Sequence, residues 1–192
     1  MSSHSAARLR AWCRARGFTL VELMVTLAVG AILAMIAVPS FRNVILSNRL
    51  STSANAMVDA LNAARVDAIK LNATTQFCGS TAAINNTDPL GAKCGTQTGA
   101  VYALPQNAAT AGMVRASSLN LDSQIKLSGT VAAVRFSGRG FGYAATGTSG
   151  TPFTSSTVAI ICSSALSSNN RRVVGMTAGS IITTTTTTGS CP

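Results

Sequence analysis

The residues from Phe18 to Val38 read FTLVELMVTLAVGAILAMIAV, an unbroken apolar run with one charged side chain, Glu22. A helix crosses a bilayer in ~20 residues, so the run is long enough to span. Pro39 follows it, where a missing N–H and a ring clash kink a helix interior. Beyond the proline the pattern changes. Leu50, Ala54, Met57, Leu61, Ala64, Ala68 and Leu71 recur at alternating spacings of four and three, while Arg49, Asn55, Asp59, Asn62 and Lys70 fall off that stripe. This is one apolar face of an amphipathic helix, and its alanine-rich seam suits close packing on a sheet. A helix unbroken from Phe18 to Leu71 would be ~80 Å long.

After residue 72 the helical period disappears. Short β-branched or alternating segments predict strands at 76–78, 99–104, 113–116, 124–127, 131–136, 157–162, 172–176 and 180–185, separated by Gly, Asn, Pro and Ser. The threonine run Thr183–Thr188 reads as an edge strand or a tail. The predicted fold class is α+β: a long N-terminal helix packed on antiparallel sheets, with a two-sheet, sandwich-like C-terminal domain. Its parts are a polar, basic segment over 1–17, a membrane-like half-helix over 18–38, an amphipathic half over 39–72 and a β-rich domain over 73–192.

Composition narrows the class. Charged residues make up only 10% of the chain, and small and hydroxyl residues are abundant, as in exported β-rich domains. The net charge of +10 includes four arginines before the apolar run: Arg8, Arg10, Arg14 and Arg16. By positive-inside reasoning these stay cytoplasmic and everything after Ser40 is exported, so the chain would cross a membrane once. From Pro89 onward seven basic residues face one acid, Asp122, so an acidic partner such as double-stranded DNA enters as an alternative.

Cys13 precedes the apolar run, and Cys78, Cys94, Cys162 and Cys191 follow it. Four cysteines in an exported domain predict two disulfides. Of the three connectivities, the sequence-adjacent one, Cys78 with Cys94 and Cys162 with Cys191, is expected. No histidine follows His4 and no CxxC occurs, which argues against a zinc site. The four exported acids, Asp59, Asp67, Asp88 and Asp122, form no catalytic motif, and no phosphate loop or nucleophile elbow is present. Neither an enzyme nor a cofactor nor a small-molecule substrate is predicted. Arg139-Gly140-Phe141-Gly142-Tyr143-Ala144 imitates an RNA-binding signature, but no aromatic partner strand precedes it, so it reads as a glycine-rich turn after a strand.

The stretch Gly17-Phe18-Thr19-Leu20-Val21-Glu22, behind its basic leader, resembles the class III signal of type IV pilins and pseudopilins. The resemblance implies cleavage between Gly17 and Phe18 by a prepilin peptidase and N-methyltransferase that also methylates Phe18. It gives Glu22 a role in assembly. A carboxylate in lipid costs roughly 3 kcal/mol even on the lenient insertion scale. Pairing with the new α-amino group of a neighbouring subunit's Phe18 would relieve that cost in the assembled filament.

Past the helix, Leu61 to Ile69, Phe77-Cys78, Val134-Arg135-Phe136 before Gly138, and Arg171-Arg172-Val173-Val174 resemble minor pilins of the FimT/FimU type and the pseudopilin GspH. This implies a low-abundance subunit that joins major and minor pilins and helps prime or cap a type IV pilus, ending at the cell surface. A GspH-like type II secretion role and DNA reception are the alternatives. Some FimT-type members bind DNA through a late GRxR motif, whereas the matching place here reads Gly179-Ser180-Ile181-Ile182. DNA contact would therefore fall to Arg135, Arg139, Arg171 and Arg172.

Overall fold

The computed structural model describes residues 17–146, 152–153, 156–178 and 180–192. The basic segment before Gly17, with Cys13, lies outside the described residues, as does Gly179. The chain divides into a unit ending at Phe41 and a larger unit, Arg42–Pro192. Helix α1, Leu20–Leu71, begins in the first and ends in the second, and Pro39 falls inside it rather than ending it. In the first unit every described side chain is exposed, so nothing within this unit covers its apolar surface.

In the second unit, α1 buries Leu50, Ala54, Met57, Leu61, Ala64 and Ala68 of the stripe expected from the sequence, together with Leu46, Ser53 and Ala60. Leu71, the last expected member, is exposed. Two antiparallel sheets meet this face. One contains β1 (Thr74–Phe77), β2 (Val101–Leu104), β3 (Gly112–Arg115), β5 (Val134–Phe136) and β6 (Gly142–Ala144), in the order β3-β2-β1-β5-β6. The other contains β4 (Lys126–Leu127), β7 (Ser156–Cys162), β8 (Arg171–Thr177) and β9 (Ile181–Thr187), in the order β4-β7-β8-β9.

The core joins all three layers. Leu50, Met57 and Leu61 of α1 cluster with Phe77 and Phe136 of the first sheet and with Val158, Ile161, Val174 and Met176 of the second. Fully burying side chains of this size contributes roughly 1.5–3 kcal/mol each. The alanines let β1 approach α1 closely, and Thr75 Oγ1 donates a 2.7 Å hydrogen bond to the Ala64 carbonyl. Along β8, buried Arg172, Val174 and Met176 alternate with half-buried neighbours, the two-residue period of a strand with one face on the core.

Three elements depart from the sequence reading. Two single-turn helices, α2 (Ala82–Asn85) and α3 (Gly91–Cys94), lie between β1 and β2 and are too short to show a helical period. Strand β6 occupies the second half of the stretch Arg139 to Ala144 that reads as a glycine-rich turn. Gly140 does make that turn, donating to the Ser137 carbonyl at 2.8 Å with φ of 78°, where a Cβ would be strained. Strand β6 then pairs with β5. The threonine run is a strand at a sheet edge.

Both disulfides join sequence-adjacent cysteines. Cys78–Cys94 closes the loop carrying α2 and α3, over a small second core of Leu90, Ala100, Tyr102 and Ala111. Cys162–Cys191 ties the tail after β9 to the end of β7. Beside it, the Asn170 side chain donates to the Gly189 carbonyl at 2.9 Å and accepts from the Gly189 N–H at 3.0 Å.

Candidate assembly site and basic residues

Gly17, Phe18 and Thr19 precede α1 in non-helical backbone. Phe18 is 74% exposed. Thr19 then caps the helix: its Oγ1 accepts from the Glu22 N–H at 3.2 Å. Thr-x-x-Glu is the sequence form of a capping box, a local signal the sequence reading missed. Glu22 therefore stands in the first turn, where the helix dipole favours an anion by about 0.3–1 kcal/mol. Its carboxylate accepts no hydrogen bond among the described residues. Around it, Leu20, Val21, Leu23, Met24, Val25 and Leu27 are all more than half exposed. The arrangement is an anion held at one end of an uncovered apolar rod, with α1 long and apolar enough to cross a membrane.

The four arginines assigned to DNA contact do not share a surface. Arg135 on β5 is buried, which removes it from that role. Its Nε donates to Gln76 Oε1 at 2.7 Å, and its two terminal nitrogens reach Asp88 Oδ1 and Oδ2 at 2.6 Å each. Gln76 passes the network on, its Nε2 donating to the Asn85 carbonyl at 2.9 Å, and buried Asn85 bonds the backbone of Gly79 and Gly95. The guanidinium thus holds down the disulfide-closed loop. Asp88, Gln76 and Asn85 were not legible as partners, since no spacing pattern connects them.

Arg172 is buried as well. Neighbouring residues on a strand face opposite ways. On β8 this turns Arg172 inward, where it donates to Ser51 Oγ at 3.3 Å, Ser47 Oγ at 3.2 Å and the Asn169 carbonyl at 2.8 Å. Arg171 is half-buried on the other face and donates to Ser128 Oγ at 2.9 Å. Arg139 alone of the four is exposed, beside a cavity of about 420 Å³ lined by Asn72, Thr74, Gln106 and Ser137.

The hydrogen bonds from Arg135 hold the Asp88 carboxyl below its ordinary range, and the Gly91 N–H adds to the effect. With a depressed folded pKa the unfolded chain binds more protons in acid. The pair's contribution is therefore complete above the ordinary aspartate value and is lost as pH falls through the lower folded one. Asp88→Ala is expected to cost about 2 kcal/mol, less than the 3–5 of a fully buried pair because the Asp88 side chain is 36% exposed. Thermal melts of both proteins between about pH 6 and about pH 2 check it, with the gap closing in acid. A gap independent of pH would show that the charge pair is not its source.

A basic N-terminal stretch, a first-turn glutamate, an exposed apolar helix and a helix-on-sheet domain together define a pilin or pseudopilin. Residues 12–38 match the prokaryotic N-terminal methylation motif, and residues 53–179 match the type II transport protein GspH family. The second match covers about two thirds of the chain, which belongs to the GspH family. No curated protein and no solved structure matched. Membership implies assembly with other pilins and processing by a prepilin peptidase, and both families are structural proteins. The apolar helix with its prepilin motif points to membrane anchoring.

Proposed function

We propose that the chain is a minor pilin, incorporated into a type IV pilus and helping to prime or cap it. The exposed first-turn Glu22, in register with the Gly17–Phe18 bond, carries this reading. The precursor sits in the inner membrane by residues 18–38 with its β domain in the periplasm. After cleavage and methylation of Phe18 it moves into the filament and on to the cell surface. There the α1 rod packs against the rods of major and minor pilins, and the disulfide-bonded domain faces outward.

Deleting the gene is expected to remove most surface pili while the major pilin still accumulates in the membrane, scored by electron microscopy and immunoblot of the sheared fraction. Undiminished piliation together with failed export of folded secreted enzymes would move the chain to a type II secretion pseudopilus, the reading favoured by the GspH match. DNA reception has the least support, since of the four arginines expected to reach DNA, Arg135 and Arg172 are committed to internal partners.

A further inference from the structure

Three of the four sheet edges are protected against strand addition. Strand β3 has four residues and ends in Arg115; β4 has two residues and begins with Lys126; β6 has three and is covered at Tyr143 by a bridge to Pro152. Shortness, charge and proline are the devices that keep sheet edges from pairing. Strand β9 has none of them. It is seven residues long and pairs with β8 from Thr177↔Ile181 to Arg171↔Thr187 without a register shift. No charge or proline occurs between Ile181 and Ser190. Every β9 side chain except half-buried Ile182 is exposed, so the strand is not there to fill the core.

The edge is also held rigid and lies in a neutral patch. At its start Ser180 Oγ accepts from the Gly142 N–H at 2.6 Å and the Ser180 carbonyl accepts from Arg65 at 3.2 Å. At its end are the Asn170–Gly189 clamp and the Cys162–Cys191 bond. Ordering costs on docking are correspondingly small. On the adjoining outer face, the shallow groove along Thr157, Val173, Gly175, Thr183 and Thr185 is uncharged too, with Arg171 standing only at the far end of β8. The Arg42–Pro192 unit carries eleven basic and four acidic residues, so this gap in its charge is the composition of an interface centre.

We propose that the free edge of β9 binds an extended, uncharged, β-branched strand from a different subunit, lengthening the sheet by one strand through main-chain hydrogen bonds. A second copy of this chain fits poorly. Its other edges are protected, and antiparallel β9–β9 pairing places a two-fold axis normal to the sheet, which reverses the α1 segment packed flat on it. Subunits aligned in one membrane or filament cannot adopt that arrangement. The proposal rests on the assembly reading above.

The test uses the full chain in its own cells. Thr183→Lys/Thr185→Lys charges the edge, and Thr183→Val/Thr185→Val preserves its shape and strand preference. Both variants are expected to be processed and to show both disulfides on non-reducing gels. The lysine pair should be depleted about tenfold from sheared filaments and the valine pair not at all. Outward-facing β9 amides of the wild type should exchange about tenfold more slowly in filaments than in the detergent-solubilised chain. Normal incorporation of the lysine pair, or equal exchange in the two states, overturns the proposal. Wild-type chain absent from filaments overturns the assembly reading. In that case slowed β9 exchange in membrane extracts, relative to the purified chain, still supports the edge, and equal exchange overturns it.

Discussion

Glu22→Ala is expected to leave processing and membrane insertion intact and to reduce the chain in sheared filaments to a small fraction of wild type. Removing a carboxylate from an apolar span relieves a cost of roughly 3 kcal/mol, so insertion itself becomes easier. What is lost, if charge pairing drives docking, is the partner for the neighbour's Phe18 amine. The capping geometry supplies the controls. Thr19→Ala removes the Oγ1 that accepts from the Glu22 N–H, at about 1 kcal/mol of helix stability, but keeps the carboxylate. Glu22→Gln keeps size and helix geometry and removes the charge. If charge pairing drives docking, glutamine fails as alanine does, while Thr19→Ala assembles. The readout is the ratio of processed chain in filaments to that in membranes. Normal incorporation of Glu22→Gln would remove the pairing mechanism.

The second large effect is on stability. Chain-entropy reasoning gives about 3 kcal/mol for the Cys78–Cys94 crosslink, with its separation of 16, and between 3 and 4 for Cys162–Cys191, with its separation of 29. Together that is roughly 6–7 kcal/mol, comparable to the whole 5–15 kcal/mol stability of an ordinary domain. Reducing both bonds is therefore expected to unfold much of the domain near 37 °C, seen as loss of the thermal transition with reductant. The single losses should differ in kind. Cys78→Ser/Cys94→Ser should loosen the loop held by Arg135 and Asp88. Cys162→Ser/Cys191→Ser should release β9, whose side chains add little burial of their own, and so speed amide exchange there first. Uniform exchange after the second substitution would mean that backbone pairing with β8 alone holds the edge.

Much of this was local and therefore readable. The apolar run from Phe18, the Gly17–Phe18 junction and Glu22 occupy one short stretch, and the stripe from Leu50 to Ala68 repeats at helical spacing, so chain order alone specifies them. The strand segments follow from β-branched runs between turn residues. β6 and the two single-turn helices were missed because three or four residues are too few to show a period. The Thr19 cap is legible as Thr-x-x-Glu, overlapping the Gly17–Glu22 motif in the same residues.

By itself, then, the sequence determined the apolar run, the N-terminal motif, the helix face and the supply of cysteines, because each depends on residues near one another in the chain. Only the tertiary structure decided the direction of each arginine. Arg135 finds Asp88 across 47 positions, and Arg172 finds Ser47 across 125. A buried guanidinium needs hydrogen-bond acceptors, and the fold, not the order of residues, brings them within reach. The same holds for β9. A threonine run is a strand or a tail until β8 pairs with it, and an edge because no other described strand pairs with its far side.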